Sequence, residues 1–291
     1  MSDQPADAQP PALHVSALPA VELKALVVDW GGVLTPPLDA TINAWAVRDG
    51  IEYDHFRQVM RAWVGAPPDS AGTQGAAGTP DAGGPADAGG TPQSGGSPQP
   101  GEQVVADVEQ AADPGPAEQS PVHLLERGEI AVSQFEDLLA AELGARGSTV
   151  PPRGLLDRMF ADFKVLDQSM IRLVRRARAA GLRTALLSNS WSDDHYPEEL
   201  FDGLFDAVVI SGQVGMRKPE ARIYRHTAAL LGLEPPACAF VDDLPHNIRA
   251  AVETGMVGVL HTGYETTATT LGAIFDLPLG AEEGARGEPP A

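Results

Sequence analysis

Residues Val27-Val28-Asp29-Trp30-Gly31-Gly32-Val33-Leu34-Thr35 read VVDWGGVLT. A short apolar run, Leu23 to Val28, ends here on a single carboxylate, and two glycines follow. Closing a buried strand on a charge is costly unless the charge is paired or binds something. Asp29 is therefore read as a site residue at the end of a strand.

Strands and helices alternate on the C-terminal side of this stretch. Residues 169–181 (SMIRLVRRARAAG) predict a helix stopped by Gly181, and 183–190 (RTALLSNS) a strand that ends in hydroxyls and an amide. FDAVVISG (205–212) predicts a strand, and KPEARIYRHTAALLGL (218–233) a helix opened by Pro219. ACAFVDDL (237–244) predicts a strand ending in two acids, PHNIRAAVETG (245–255) a helix stopped by Gly255, and VGVLHT (257–262) a last strand. Such alternation implies a parallel sheet covered on both faces.

The segment between the first two strands is too long for a crossover and reads as a second, helical unit. LDATINAWAVRDG (38–50) and EYDHFRQVMRAWVG (52–65) have helical spacing. HLLERGEIAVSQFEDLLAAELG (123–144) predicts two helices, the second capped by Ser133 with Glu136 three residues on. Residues 66–120 between them are dominated by Gly, Pro, Ala, Ser, Gln and Asp and contain no aromatic residue. Such a segment cannot offset its ordering entropy by burial and is expected to be a disordered insert. The expected division is a core of residues 21–36 and 165–275, a helical unit of 37–164 carrying the 66–120 insert, and disordered tails at 1–20 and 276–291.

In an open parallel sheet, ligands bind beyond the carboxyl ends of the strands. Asp29, Ser188 with Asn189, and Asp242 with Asp243 fall at those ends, and Lys218 follows the third strand. Several carboxylates with one lysine suit a hard cation such as Mg²⁺ and a phosphoryl group held between charges. VVDWGGVLT, ALLSNS, Lys218 in GMRKPEARIY and FVDDLPHNIRAA, in that order, resemble the four motifs of the haloacid dehalogenase superfamily. HLLERGEIAVSQF is similar to the helical cap of the branch that includes sugar-phosphatases and the phosphatase domain of soluble epoxide hydrolases. The resemblance implies an α/β fold, a Rossmann-like parallel sheet core with an inserted helical cap domain.

It also implies roles. Asp29 matches a nucleophile that forms an aspartyl-phosphate. Ser188 and the Asn189 backbone would hold phosphoryl oxygens, and Lys218 would neutralise Asp29 and the phosphate together. Asp243 matches a direct Mg²⁺ ligand, Asp242 would act through water, and the Gly31 carbonyl would complete the set. Asn247 is expected to supply a supporting hydrogen bond. The implied substrate is a small phosphorylated metabolite.

The sequence departs from the family pattern at Gly31, where most family phosphatases carry a second Asp as general acid and base. Such a group is worth about 10²–10⁴-fold in rate. Tyr53, His55, His123 and His195 are alternative proton sources that spacing does not distinguish, and Asp39 lies far along the chain. The glycine implies a slow enzyme, or a leaving group that needs little protonation, such as an acyl phosphate or a sugar 1-phosphate. A phosphate-binding regulatory protein and a dehalogenase are the alternatives. Trp30 and Trp191 are candidate pocket walls, whereas Trp45, Phe56, Trp63, Phe135 and Phe160 read as packing of the helical unit.

Composition narrows the partners. Of the net charge of −20, residues 1–20, 66–120 and 281–291 carry −12, and no basic stripe of the kind that binds nucleic acid is present. No apolar run approaches the ~18 residues of a membrane span. Cys238 is the only cysteine and the first 15 residues lack a signal-peptide pattern, so a reducing cytoplasm is expected.

Overall fold

The structure, a computed structural model, describes residues 21–64, 119–161, 165–191 and 196–280. The expected tail 1–20, nearly all of the 66–120 insert and residues 281–291 lie outside them.

Five strands form one sheet: β1 (Ala25–Val28), β2 (Arg183–Ser188), β3 (Ala207–Ile210), β4 (Cys238–Asp242) and β5 (Val257–Leu260). Their order is β3-β2-β1-β4-β5 and every pairing is parallel. β1 lies in the centre, with Val28 opposite Leu186 on one side and Val241 on the other. All four of its residues are buried, as expected of a strand covered on both faces. Leu26 and Val28 pack on one face with Leu186 and Val241, and Ala25 and Val27 on the other with Leu187 and Phe240. Cys238 opens β4, fully buried, and burial pushes its thiol up to about 11, which suits packing.

Between β1 and β2 come α1 (Leu38–Asp49), α2 (Tyr53–Val64), α3 (Pro121–Glu126), α4 (Val132–Ala145), α5 (Leu155–Met159) and α6 (Gln168–Ala179). The first five share a separate apolar core in which Trp45, Phe56, Phe135 and Leu139 are buried. α6 packs on the sheet instead, through Met170, Leu173 and Val174. The chain then adds α7 (Glu198–Phe201), α8 (Ser211–Val214), α9 (Ala221–Leu230), α10 (Pro245–Glu253) and α11 (Tyr264–Phe275) among the remaining strands. Among the described residues, no helix is long and apolar enough to cross a membrane.

Several expectations need correction. Ser120, placed at the end of the insert, is the N-cap of α3, and its Oγ accepts the His123 N–H. Residues 276–280 do not belong to a disordered tail, because Leu279 is buried in the core. α9 begins at Ala221 rather than Pro219, after a turn in which the Glu220 N–H meets the Arg217 carbonyl. α11 had no signal in the sequence, since its four Thr and one Gly favour a helix weakly and the segment has little apolar periodicity.

The capping box at Ser133 and Glu136 does not form. α4 starts two residues earlier, with Ala131 as its N-cap, and Gln134 Oε1 accepts the Ala131 N–H. Glu136 turns inward, where its carboxylate accepts the N–H groups of Gly154 (3.2 Å) and Leu156 (3.0 Å) at the start of α5. It therefore caps a neighbouring helix. Glu136→Ala should lower the unfolding free energy by about 1–3 kcal/mol in urea titration, through two lost charge-assisted bonds to buried donors. Glu136→Gln, which keeps one acceptor, should lose less; equal losses would mean that the carboxylate charge contributes little.

Candidate active site

The sheet reverses its direction of growth at β1, with β2 and β3 on one side and β4 and β5 on the other. The carboxyl ends of β1 and β4 at such a switch point form a ligand crevice. Asp29 follows β1 directly, and its N–H bonds the Val241 carbonyl, which fixes it to the end of β4. Asp242 ends β4 and Asp243 follows it.

Lys218 reaches between these strands. Its Nζ lies 2.8 Å from Asp29 Oδ1 and 2.6 Å from Asp242 Oδ2, and only 1% of its side chain is exposed. Burial opposes the ammonium charge, but Asp242 and Asp29 outweigh it and hold Lys218 above its ordinary value. Burial has the opposite consequence for the acids. It pushes Asp29 up to about 8 despite Lys218, with Asp242 and Asp243 adding to the rise, and it pushes Asp243 up to about 6.

The two neighbouring acids are held differently. Asp242 is fully buried and saturated: Oδ1 accepts the Leu244 N–H (2.8 Å) and Asn247 Nδ2 (3.0 Å), while Oδ2 takes Lys218. Asn247 thus makes the supporting hydrogen bond expected of it. Asp243 is only partly buried and faces Gly32, whose φ of +71° requires glycine. A Cβ at Gly32 would sit 2.2 Å from Asp243 Oδ2, so the missing side chain makes room for that carboxylate. Gly31 is not left-handed and lines the crevice.

Ser188 ends β2 with its Oγ 2.9 Å from the hydroxyl of Tyr196. The Asn189 side chain clamps the Lys218 backbone, its Oδ1 accepting the N–H at 2.8 Å and its Nδ2 donating to the carbonyl at 3.0 Å. All the residues named at the strand ends line one cavity, apart from Asp242, which lies beneath it.

The alternative proton sources do not join them among the described residues. Tyr53 donates to the exposed Asp39 (3.3 Å), His55 pairs with Ser148 (2.8 Å), and His123 is buried on α3. His195 lies outside the described residues. Five wall residues were not anticipated as such, Leu38 and Leu244 among them. Phe160 lines the cavity as well as packing the helical core; Tyr196 and Glu126 also line it. Glu126 Oε1 accepts Trp191 Nε1 (3.2 Å) and Oε2 accepts Arg217 Nε (2.5 Å). These contacts join positions 65 and 91 residues apart, which no local pattern encodes.

The donor set fits a divalent cation. Oxygens of Asp29, Asp242 and Asp243 lie within 4.8 Å of one another. Three carboxylates against one lysine leave the site net negative, which burial penalises unless a cation is bound. Asn247 Oδ1 is also buried without a partner, an acceptor suited to a cation's water.

The model of the haloacid dehalogenase-like hydrolases matches residues 23–255. Bifunctional epoxide hydrolase 2 of Rattus norvegicus is 28% identical over 156 residues, which cover 49% of this chain and 28% of that protein. The chain thus spans little more than a quarter of that relative's length. Sesquiterpene phosphatase astK of Aspergillus oryzae is 30% identical over 141 residues, 46% of this chain and 68% of that protein. The HAD family enzyme bt-2542 of Bacteroides thetaiotaomicron shares the fold, with a TM-score of 0.50 at 16% identity over 86% of this chain and 98% of that one. Carrying the five-stranded parallel sheet, the helical insertion after β1 and a family match across most of its length, the chain belongs to the haloacid dehalogenase-like hydrolases.

Proposed function

We propose that the protein is a Mg²⁺-dependent phosphatase that acts on a small phosphorylated metabolite through an aspartyl-phosphate on Asp29. The observation that carries this reading is the buried triad in which Lys218 bridges Asp29 and Asp242 at the sheet's switch point. A phosphatase-named relative at 30% identity supports it.

Asp29 Oδ1 is engaged by the Trp30 N–H (2.7 Å) and by Lys218, which leaves Oδ2 to attack phosphorus. Lys218 opposes the rise that burial imposes on Asp29 and offsets the incoming phosphate charge. The Ser188 hydroxyl and the backbone at Asn189 hold phosphoryl oxygens at the end of β2. Mg²⁺ when bound would neutralise and orient the phosphoryl group, held by Asp29, the Gly31 carbonyl and Asp243, with Asp242 acting through water. Attack by Asp29 breaks the bond to the leaving-group oxygen, and water then hydrolyses the acyl phosphate to restore the carboxylate. No acid at position 31 protonates the departing oxygen, so acyl phosphates should turn over far faster than alkyl phosphates.

Asp29→Asn should abolish hydrolysis of acetyl phosphate, since an amide is a poor nucleophile; full retention would remove Asp29 from the mechanism. Gly31→Asp should raise alkyl-phosphate turnover selectively, by up to about 10²-fold. Its backbone conformation permits the side chain. An unchanged ratio of alkyl to acyl rates would mean that another group already supplies the proton.

The hydrogen bonds of Asp242 are taken up within the protein, whereas Asp243 is more open. Calorimetric titration with Mg²⁺ should therefore show a larger loss of affinity for Asp243→Asn than for Asp242→Asn. The reverse order would exchange their roles.

A further inference from the structure

We infer that the organic part of the substrate is compact and aromatic, so that the site takes aryl monophosphates. This rests on the phosphatase reading above and deepens it.

The walls above the carboxylates are apolar. Leu38 from the start of α1, Phe160, Trp191 and Leu244 face the cavity beside the rings of Trp30 and Tyr196. The cavity measures about 130 Å³ and must also seat the phosphoryl group over Asp29, so the organic part it admits is compact.

Polar side chains of the described walls are occupied by one another. Glu126 is bound on both oxygens by Trp191 and Arg217. The Asn189 amide is used at both ends by the Lys218 backbone, and the Tyr196 hydroxyl is paired with Ser188. Trp30 Nε1 and Asn247 Oδ1, buried and without partners, offer one further donor and one acceptor. A sugar or nucleoside leaving group would bring several hydroxyls against described walls that have few free groups to receive them, and each unpaired hydroxyl weakens binding. That disfavours the sugar 1-phosphate expected from the missing acid.

Gly31 supplies an independent constraint. Without an acid at position 31, the leaving group departs as an anion. When Asp29 attacks phosphorus, the P–O bond of an aryl phosphate breaks and its electron pair leaves as a phenoxide, which then takes a proton from water. An alkoxide is far more basic and departs far less readily. The apolar walls and the absent acid therefore select the same class, a phosphate carried by a phenolic oxygen.

The test is a calorimetric titration of the full chain with phenylphosphonate and methylphosphonate in the presence of Mg²⁺. Neither compound is hydrolysed, so binding is read without turnover. Phenylphosphonate should bind about 10- to 100-fold more tightly, the factor for removing one ring from water. Leu244→Ser, at a position 42% exposed and tolerant of a polar residue, should narrow that gap. Equal affinities in the wild type would overturn the aromatic assignment and leave the phosphatase reading standing, and a gap unmoved by Leu244→Ser would remove the assigned wall. Failure of both compounds to bind would overturn the phosphate site itself, and the inference with it.

Discussion

A buried ammonium held between two carboxylates sets the geometry of this site. Lys218 lies between Asp29 at the end of β1 and Asp242 at the end of β4, and almost no solvent reaches it. Two carboxylates this close to one another would repel without it, and the lysine alone would be an unpaired charge in the core. Removing one member of such a buried group typically costs about 3–5 kcal/mol, because the charge left behind has no partner. The neighbouring polar residues serve this arrangement. Asn189 grips the lysine backbone, Asn247 donates to Asp242, and Tyr224 holds the Asn247 carbonyl from α9.

The helical layer meets this centre on the loop that carries the lysine. Glu126 at the end of α3 pairs with Arg217, and the adjacent Arg127 reaches Glu220 at 3.5 Å. Gly128 lies so close to the Gly212 carbonyl that a Cβ would stand 2.6 Å from it. The two ion pairs cross between one helix end and one loop, so the apolar ceiling is placed by charges that are themselves neutralised. A wall of Phe160, Trp191 and Leu38 can then close over charged chemistry without presenting a free charge of its own.

What the sequence revealed and what it hid follow from the range of the contacts involved. Strand ends were readable, because an apolar run that stops at Asp29, Ser188 or Asp242 announces both the element and the polar group at its tip. Helix stops at Gly181 and Gly255 were readable for the same local reason, and both glycines are left-handed. Glu136 misled because its spacing from Ser133 matches a local cap, while its carboxylate is bound by backbone donors 18 and 20 residues further on. Tyr196 and Glu126 gave no signal, since their partners come from other elements and no spacing links them. Phe160 was read as packing and does pack, but one side of the ring also faces the cavity, a distinction periodicity cannot make.

The nucleophile is the point on which the proposed chemistry turns. The most direct measurement is rapid acid quenching of the full chain during turnover of acetyl phosphate with Mg²⁺, followed by mass spectrometry of the peptide spanning Asp29. The predicted result is one phosphoryl group on Asp29, absent from Asp29→Asn. Product release with no phosphoryl-enzyme at any time point, or a phosphoryl group on a different residue, would contradict it.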